Sequence, residues 1–472
     1  MKKIFKNESS QYIAFVAVVL LSRVPFLFSG YGLDPDCWEV AITAKHISES
    51  GVYEVSRFPG YPVHEFICSL FYNGGYVALN LLSTIISTVG FLFFAYTLKA
   101  LRFKDVFLAS FALAAVPVIY IHSTTCIDYT WALAFILIAL YFVVKVKPAL
   151  AGLFLGIAIG CRITSGAMLL PFAIMISQTD GAKKNIIRIL KLVLSSCVVG
   201  GLLFLPVFLK YGSEFFTYFD VPYPPILKVL FKLSVEVWGV VGSIGLIIAT
   251  CLLLIPAKPK FRKYLFPRAV NEKYVIAWLI AIDLYIIAFL KLPMEAGYLI
   301  PIVPFVILVF GKYLYDRAFT FFAVTLIVAP FFASVAPAEK TDAPSQSFLA
   351  INFHASGEDL VFDPAKGPVI SYQSQRVNAL NFSDRFLHAL DTIHKKTLFI
   401  CGRWYTQVAI AQTDSSKKML EFTDYESREN LLKRIEQGYE IYYLPQQDYF
   451  NMIKYGFDIK TFGALPFIKV SD

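Results

Sequence analysis

The stretch ALAGLFLGIAIGCRITSGAMLLPFAIMIS, residues 149–177, decides how the chain threads a membrane. Apart from Arg162 it carries no charge. It reads either as one long tilted helix or as two short helices meeting at Cys161-Arg162-Ile163. A helix needs about 20 residues to cross a ~30 Å hydrocarbon layer, and both halves fall short. Loop charge decides between the readings, because cytoplasmic connections collect Lys and Arg. With two helices, the N-terminus (Lys2, Lys3, Lys6) and alternate connections share 20 of the 28 basic residues in 1–336. Those connections carry Lys99/Arg102/Lys104, Lys145/Lys147, Lys183/Lys184/Arg188/Lys191, Lys258/Lys260/Arg262/Lys263/Arg268/Lys273 and Lys312/Arg317. With one helix, the two most basic later loops would change sides. The two-helix reading predicts eleven membrane segments, near residues 12–28, 76–98, 106–121, 129–146, 149–160, 164–177, 189–209, 234–255, 274–290, 298–311 and 318–336. The N-terminus then faces the cytoplasm and the C-terminus the opposite side.

Composition agrees. Hydrophobic residues make up 57% of the 472 and charged residues 16%, against about 45–50% and about 25% in soluble domains. Such a chain cannot hide its apolar surface in water, which excludes a soluble enzyme, a disordered protein and a secreted disulfide scaffold. The net charge of +9 does not point to nucleic acid. Residues 337–472 hold 15 basic and 17 acidic residues, so the positive excess sits among the apolar segments, where it orients them. The first run, Tyr12 to Phe28, is interrupted by Arg23 and lacks an obvious small-residue cleavage site, so it reads as a retained helix. The seven cysteines show no metal spacing and no paired framework. Cys37 and Cys126 both fall near the outer face, which leaves a bridge between them open.

The expected fold is an all-α polytopic membrane bundle, residues 1–336, followed by a soluble extracytoplasmic α/β domain, residues 337–472. The tail's mixed pattern supports this, with strands at Leu398-Phe399-Ile400 and Ile441-Tyr442-Tyr443-Leu444 and an amphipathic helix around 426–437. The first outer loop, about 29–75, is long and polar, too long for a simple connection. No internal repeat is visible, which counts against the duplicated layout of many transporters.

That loop begins Asp34-Pro35-Asp36-Cys37-Trp38-Glu39. Pro35 biases Asp34 towards extended backbone. If this continues through Asp36, both carboxylates point to one side. At an apolar boundary they would raise one another's pKa and make one a general base. The competing role is structural, since Asp36 and Glu39 have the spacing of a helix-capping box. Asp128 stands directly before an apolar helix, either as a cap favoured by the helix dipole or as a third carboxylate at the mouth of the bundle. Arg162 would be a charge held at membrane depth, because helices of twelve to fourteen residues rise only ~18–21 Å. Such a charge faces a wet cavity or a partner. A guanidinium there suits a phosphate in bidentate geometry, the alternative being a structural salt bridge. Arg57 and Arg23 are further anion-binding candidates, with snorkelling the simpler role for Arg23. Tyr298-Leu299-Ile300-Pro301-Ile302-Val303-Pro304 carries two prolines that disturb a helix, and irregular backbone at that depth lines a cavity or is buried in protein.

With these residues the chain resembles the GT-C membrane glycosyltransferases, particularly the branch of protein O-mannosyltransferases and the aminoarabinose transferase of lipid A. Pro35-Asp36-Cys37 is similar to the family's Pro-Asp-Glu-like motif after the first helix. Arg57-Phe58-Pro59-Gly60-Tyr61-Pro62 resembles its Gly/Pro-rich loop. Gly152…Gly156…Gly160-Cys161-Arg162 looks like its glycine-rich segment ending in a basic residue, and Tyr298 to Pro304 its late Tyr-x-x-Pro-x-x-Pro segment. The likeness spans roughly residues 12–336. Cys37 replaces the acidic partner usual after the key Asp, so that role would pass to Asp34; Gly297 stands where a basic residue often precedes the tyrosine; and no Trp-Trp-Asp motif occurs in the tail, disfavouring an oligosaccharyltransferase.

The resemblance implies transfer of a sugar from a polyprenyl-phosphate donor to a glycan, lipid or protein acceptor on the extracytoplasmic face, with inversion. Asp36, with Asp34, would be catalytic; Arg162 and Arg57 would hold the donor phosphate; Asp128, Tyr298 and Arg23 would support them. A divalent cation on Asp34, Asp36 and Asp128 stays open as a cofactor, since relatives differ. A transporter or flippase of a lipid-linked or anionic substrate shares the intramembrane Arg. A glycan polymerase or ligase is the other alternative, although its large catalytic loop is expected late in the chain.

Overall fold

Each of the eleven apolar runs contains a helix in the computed structural model of the chain, which describes residues 8–212, 214, 223–254, 271–337, 347–355, 358–411, 420–424, 426–444, 458–461 and 468–471. Lys2, Lys3, Lys6, Lys258, Lys260, Arg262, Lys263 and Arg268 lie outside the described residues. In chain order the helices are α1 (Glu8–Arg23), α2 (Pro35–Ser50), α3 (Pro62–Phe71), α4 (Gly75–Ala100), α5 (Val106–Ala115), α6 (Pro117–His122), α7 (Tyr129–Val144), α8 (Pro148–Cys161), α9 (Leu169–Ile176), α10 (Ala182–Tyr211), α11 (Ile226–Phe231), α12 (Val237–Leu254), α13 (Glu272–Lys291), α14 (Val303–Tyr313) and α15 (Asp316–Val328). Six helical stretches among the described residues are long and apolar enough to cross a membrane, and four shorter apolar helices accompany them. Leu194, Leu202 and Leu209 on α10, with Ile247 and Ile287 on α12 and α13, stay exposed. Lipid is the solvent that such a surface requires. The chain is an integral membrane protein.

The deciding stretch breaks at the expected place. Pro148 opens α8, where its fixed φ suits a first helical turn. Arg162 then adopts extended backbone (φ −160°, ψ 115°), and a 3-10 turn at Ile163–Met168 leads into α9. Gly152, Gly156 and Gly160 recur every four residues on one face of α8. Added Cβ atoms at the first two would meet Ser195 and Val199 of α10; one at Gly160 would meet Leu203 of α10 and Val63 of α3. These glycines are a helix-packing stripe, the small-xxx-small device of membrane helices. They bring α10 against α8 and leave Arg162 at the far end of the pair.

Prolines shape the remaining breaks. Val116 before Pro117 is non-helical and separates α5 from α6. The disturbed segment around Tyr298 is a 3-10 turn, Ala296–Ile302, with Pro301 inside it and Pro304 in the first turn of α14.

After α15 the chain forms β1 (Ser334–Pro337), β2 (Ile351–Ala355) and β3 (Glu358–Asp363), an antiparallel sheet in the order β1-β3-β2. Helix α16 (Pro368–Ala389) leads to a second sheet. Its strands are β4 (Thr397–Ile400), β5 (Leu420–Thr423), β6 (Glu440–Tyr443), β7 (Asp458–Thr461) and β8 (Ile468–Ser471), ordered β5-β4-β6-β8-β7. β4 runs parallel to β5 and β6, while β8 is antiparallel to β6 and β7. Helices α17 (Tyr405–Ala411) and α18 (Arg428–Glu436) complete the unit, and α18 is the expected amphipathic helix. The tail is joined to the bundle: Arg376 of α16 is buried and donates to the carbonyls of Phe26 (2.9 Å), Ser29 (3.2 Å) and Gly30 (2.7 Å), just ahead of α2.

Candidate active site

Pro35 occupies the first helical position of α2, so Asp34 becomes its N-cap and Asp36 lies already within the first turn. The Asp34 carboxylate accepts from the Asp36 amide at 3.0 Å. This corrects two expectations. Extended backbone stops at Asp34 instead of running on through Asp36, and the capping residue is Asp34. The Asp36 side chain is therefore released from capping.

What it meets instead is an alternating line of charges. Arg57 Nε lies 2.8 Å from Asp36 Oδ2, Arg57 Nη2 lies 2.8 Å from Asp128 Oδ1, and Arg162 Nη1 lies 2.6 Å from Asp128 Oδ2. Four separate pieces of chain supply these groups: the start of α2, the loop between α2 and α3, the residue before α7, and the break after α8. Aromatic rings wall the line. Arg57 stands over Tyr61 at 4.2 Å, and Arg162 over Tyr129 at 4.1 Å and Tyr298 at 4.9 Å. Exposure separates the roles. The Asp128 side chain is 0% exposed and both its oxygens are taken, whereas Asp36 is 29% exposed and Arg162 12%. Arg57 Nη1 is a buried nitrogen without a hydrogen-bond partner among the described residues.

The electrostatics follow from this arrangement. Burial pushes the Asp36 carboxyl up to about 6; Arg57 opposes the rise, Asp34 and Asp128 add to it, and Arg162 opposes it. Burial also raises Asp34. Glu39, on the same helix, is pushed up to about 7 by burial and by Asp36.

Sequence reasoning missed a second cluster beside Asp34. Lys232 lies 3.8 Å from Glu236 on a π-helical turn, Lys232–Glu236, and its ammonium donates to the Met294 carbonyl. Burial, followed by Asp34, pushes neighbouring Glu295 up to about 8, with Lys232 opposing. Glu236 and Glu295 each adjoin an apolar run, and an acid at such a boundary was the available signal. Arg23 stands apart from the charge line. It does not snorkel, and it meets no acid among the described residues: it is buried, stacks over Tyr120 at 4.2 Å, and donates to Ser123 Oγ (3.3 Å) and to the carbonyls of Val19 and Ala114. The carbonyls of α1 and α5 and the Ser123 hydroxyl hold it there.

Cys37 and Cys126 are separate buried thiols, so the open bridge does not form. Among the described residues the fold creates one soft-ligand cluster that spacing did not reveal: His64, Cys68 and Cys126 place their ligand atoms within 4.8 Å of one another. The three aspartates considered for a divalent ion are engaged, Asp36 and Asp128 by arginines and Asp34 by a backbone amide. A cation there would have to open those pairs.

No protein-family model and no curated protein matches the sequence. Solved structures do. The crystal structure of ArnT from Cupriavidus metallidurans bound to undecaprenyl phosphate superposes with a TM-score of 0.57 at 10% identity, covering 98% of each chain. The same protein in its apo state gives 0.55 at 11% identity, again over 98% of each chain. At that identity the likeness is one of fold, and it extends through the C-terminal sheets as well as the bundle: the chain has the GT-C fold of ArnT.

Proposed function

We propose that the chain is a GT-C glycosyltransferase that moves a sugar from a polyprenyl-phosphate donor to a glycan, lipid or protein acceptor on the extracytoplasmic face. The observation that carries this reading is a partly exposed carboxylate, Asp36, beside two arginines in a ring-walled site. The fold shared with a protein crystallised on undecaprenyl phosphate supports it. The positive-inside distribution supports an N-terminus in the cytoplasm and a site and tail on the opposite side; the membrane we assign is the plasma or inner membrane.

The chemistry is a single displacement. The acceptor hydroxyl oxygen bonds to the anomeric carbon as the bond from that carbon to the donor phosphate oxygen breaks. The acceptor proton passes to Asp36, which acts as general base. The electron pair leaves with the phosphate, whose growing charge faces Arg162 and the unpaired Nη1 of Arg57. Attack opposite the leaving group inverts the sugar carbon. Asp128 keeps both guanidiniums in place and prevents two bare cations from repelling one another. Lys232, Glu236 and Glu295 stand beside Asp34, where polar groups could orient the sugar.

The test is binding of undecaprenyl phosphate to the purified full chain. Arg162→Ala is expected to weaken binding tenfold or more, about 1.4 kcal/mol, while Asp36→Asn retains it. Equal binding by wild type and Arg162→Ala would overturn the donor assignment.

A further inference from the structure

Glu65 is a buried carboxylate that the transfer chemistry does not use. It lies in the first turn of α3, is 0% exposed, and has no basic partner among the described contacts. Its charge is met by four donors, all from residues 53–61. The Ser56 amide (2.7 Å) and Ser56 Oγ (2.6 Å) donate to Oε1; the Tyr61 amide (3.0 Å) and the Tyr53 hydroxyl donate to Oε2. The Tyr61 bond by itself is a helix cap, since Glu65 N returns a bond to the Tyr61 carbonyl at 2.9 Å. The other three are more than capping. Together with the Tyr61 bond they gather the loop around one point, on both sides of Arg57.

The rest of the loop is built to the same end. Gly60 sits at φ +92°, a conformation that side chains rarely adopt, and its amide donates to the Arg57 carbonyl at 2.8 Å. The Val55 amide donates to Tyr211 Oη at 3.3 Å, Lys210 donates to the Tyr53 carbonyl at 3.0 Å, and Phe58 packs edge-on against Tyr211. A loop without regular structure thus holds a long, rotatable arginine so that Nε meets Asp36 while Nη2 meets Asp128.

We propose that Glu65 is a positioning residue: by fixing residues 53–61 it holds Arg57 against Asp36 and so sets the protonation state of the reacting carboxylate. The inference rests on the assignment of Asp36 as base, although its test does not require turnover. The groups facing Asp36 are Asp34 ahead of its helix, Glu39 on it, Arg57 and Tyr61 from the loop, Asp128 before α7, Arg162 after α8, Glu295 before the 3-10 turn and Tyr298 within it. Of these Arg57 is the nearest cation, so loosening it removes the main influence that lowers the Asp36 carboxyl.

The experiment is infrared titration of the full chain in lipid nanodiscs, with the Asp36 band isolated by subtracting Asp36→Asn. Glu65→Gln offers one acceptor oxygen and an NH2 group where four donors converge, so it releases part of the loop. The expected result is a rise of about one pH unit in the Asp36 midpoint, with a larger rise in Arg57→Gln and no further rise in the double variant. The acid limb of sugar transfer in membrane vesicles should move by the same amount, while the plateau rate at high pH stays below wild type because a loosened Arg57 also serves the leaving phosphate less well. A role in stability alone would lower the melting temperature without moving either midpoint, and that result overturns the proposal. Arg57→Gln without a shift also overturns it. Should Glu65→Gln not fold, Ser56→Ala removes one bond and must move the midpoint in the same direction. A midpoint that shifts in a chain without transferase activity would sink the proposed function and leave standing only the hold of Glu65, through Arg57, on the Asp36 carboxyl.

Discussion

Asp36 and Arg57 set one another's state, and the pH response follows from that pair. Asp36 has a carboxyl raised to about 6 by burial, and a general base works only when ionised. The rate constant kcat/KM should therefore fall about tenfold per pH unit below that value and level off above it. A profile flat to pH 4.5 would count against Asp36. Asp36→Asn keeps the shape and removes the base, so kcat should fall by about 10²–10⁴-fold, as measured by single-turnover transfer from the donor. How these residues meet was only partly legible. Asp36, Asp128, Arg57 and Arg162 were recognisable as charges out of place at apolar boundaries, but which acid pairs with which base depends on where four distant segments converge. Arg23 misled for the same reason. A lone arginine near a helix end looks identical whether it snorkels or, as here, is satisfied by carbonyls.

At the scale of elements, the break after α8 was the most readable feature, because span length and loop charge constrain it independently. The glycines before it were readable as a motif, while their purpose shows only in the packing of α8 against α10. Gly156 faces Val199, and an added Cβ would lie 2.6 Å from the Val199 Cβ. Gly156→Leu forces α8 and α10 apart, and overpacking of this kind costs about 1–3 kcal/mol. The melting temperature of the purified protein should drop by several degrees, with donor binding weakened because Arg162 rides on the displaced helix end. Gly201, on α10 with no neighbour within 4 Å of an added Cβ, should accept Ala without loss. If both variants melt like the wild type, the stripe is not a packing device. The start of α2 failed as a prediction because proline has two meanings. Before Pro35 it extends the chain, and at Pro35 it begins a helix, so the same residue that was read as straightening Asp34–Asp36 divides them.

For the molecule as a whole, the membrane bundle was legible from composition, while the union of bundle and tail was not. Arg376 lies more than 300 residues from the carbonyls of Phe26, Ser29 and Gly30 that it satisfies, and nothing local in the sequence announces such a pairing. Asn80 of α4 also donates to the Leu27 and Gly30 carbonyls, and the Leu33 amide donates to Tyr372 on α16, so bundle and tail together grip the segment leading to Asp34. Arg376→Met should strand the Phe26 and Ser29 carbonyls at about 1–3 kcal/mol each, while Gly30 keeps its bond from Asn80. Thermal unfolding should show bundle and tail losing stability together; a wild-type melting curve would mean that the grip contributes nothing. The account as a whole stands on Asp36 as the base of a sugar transfer from a lipid carrier. The direct measurement is mass spectrometry of lipid-linked sugars and surface glycoconjugates in cells whose only copy carries Asp36→Asn. The account predicts that one polyprenyl-phosphate sugar accumulates and one glycoconjugate loses that sugar, as in cells lacking the protein; both pools unchanged from wild type would contradict it.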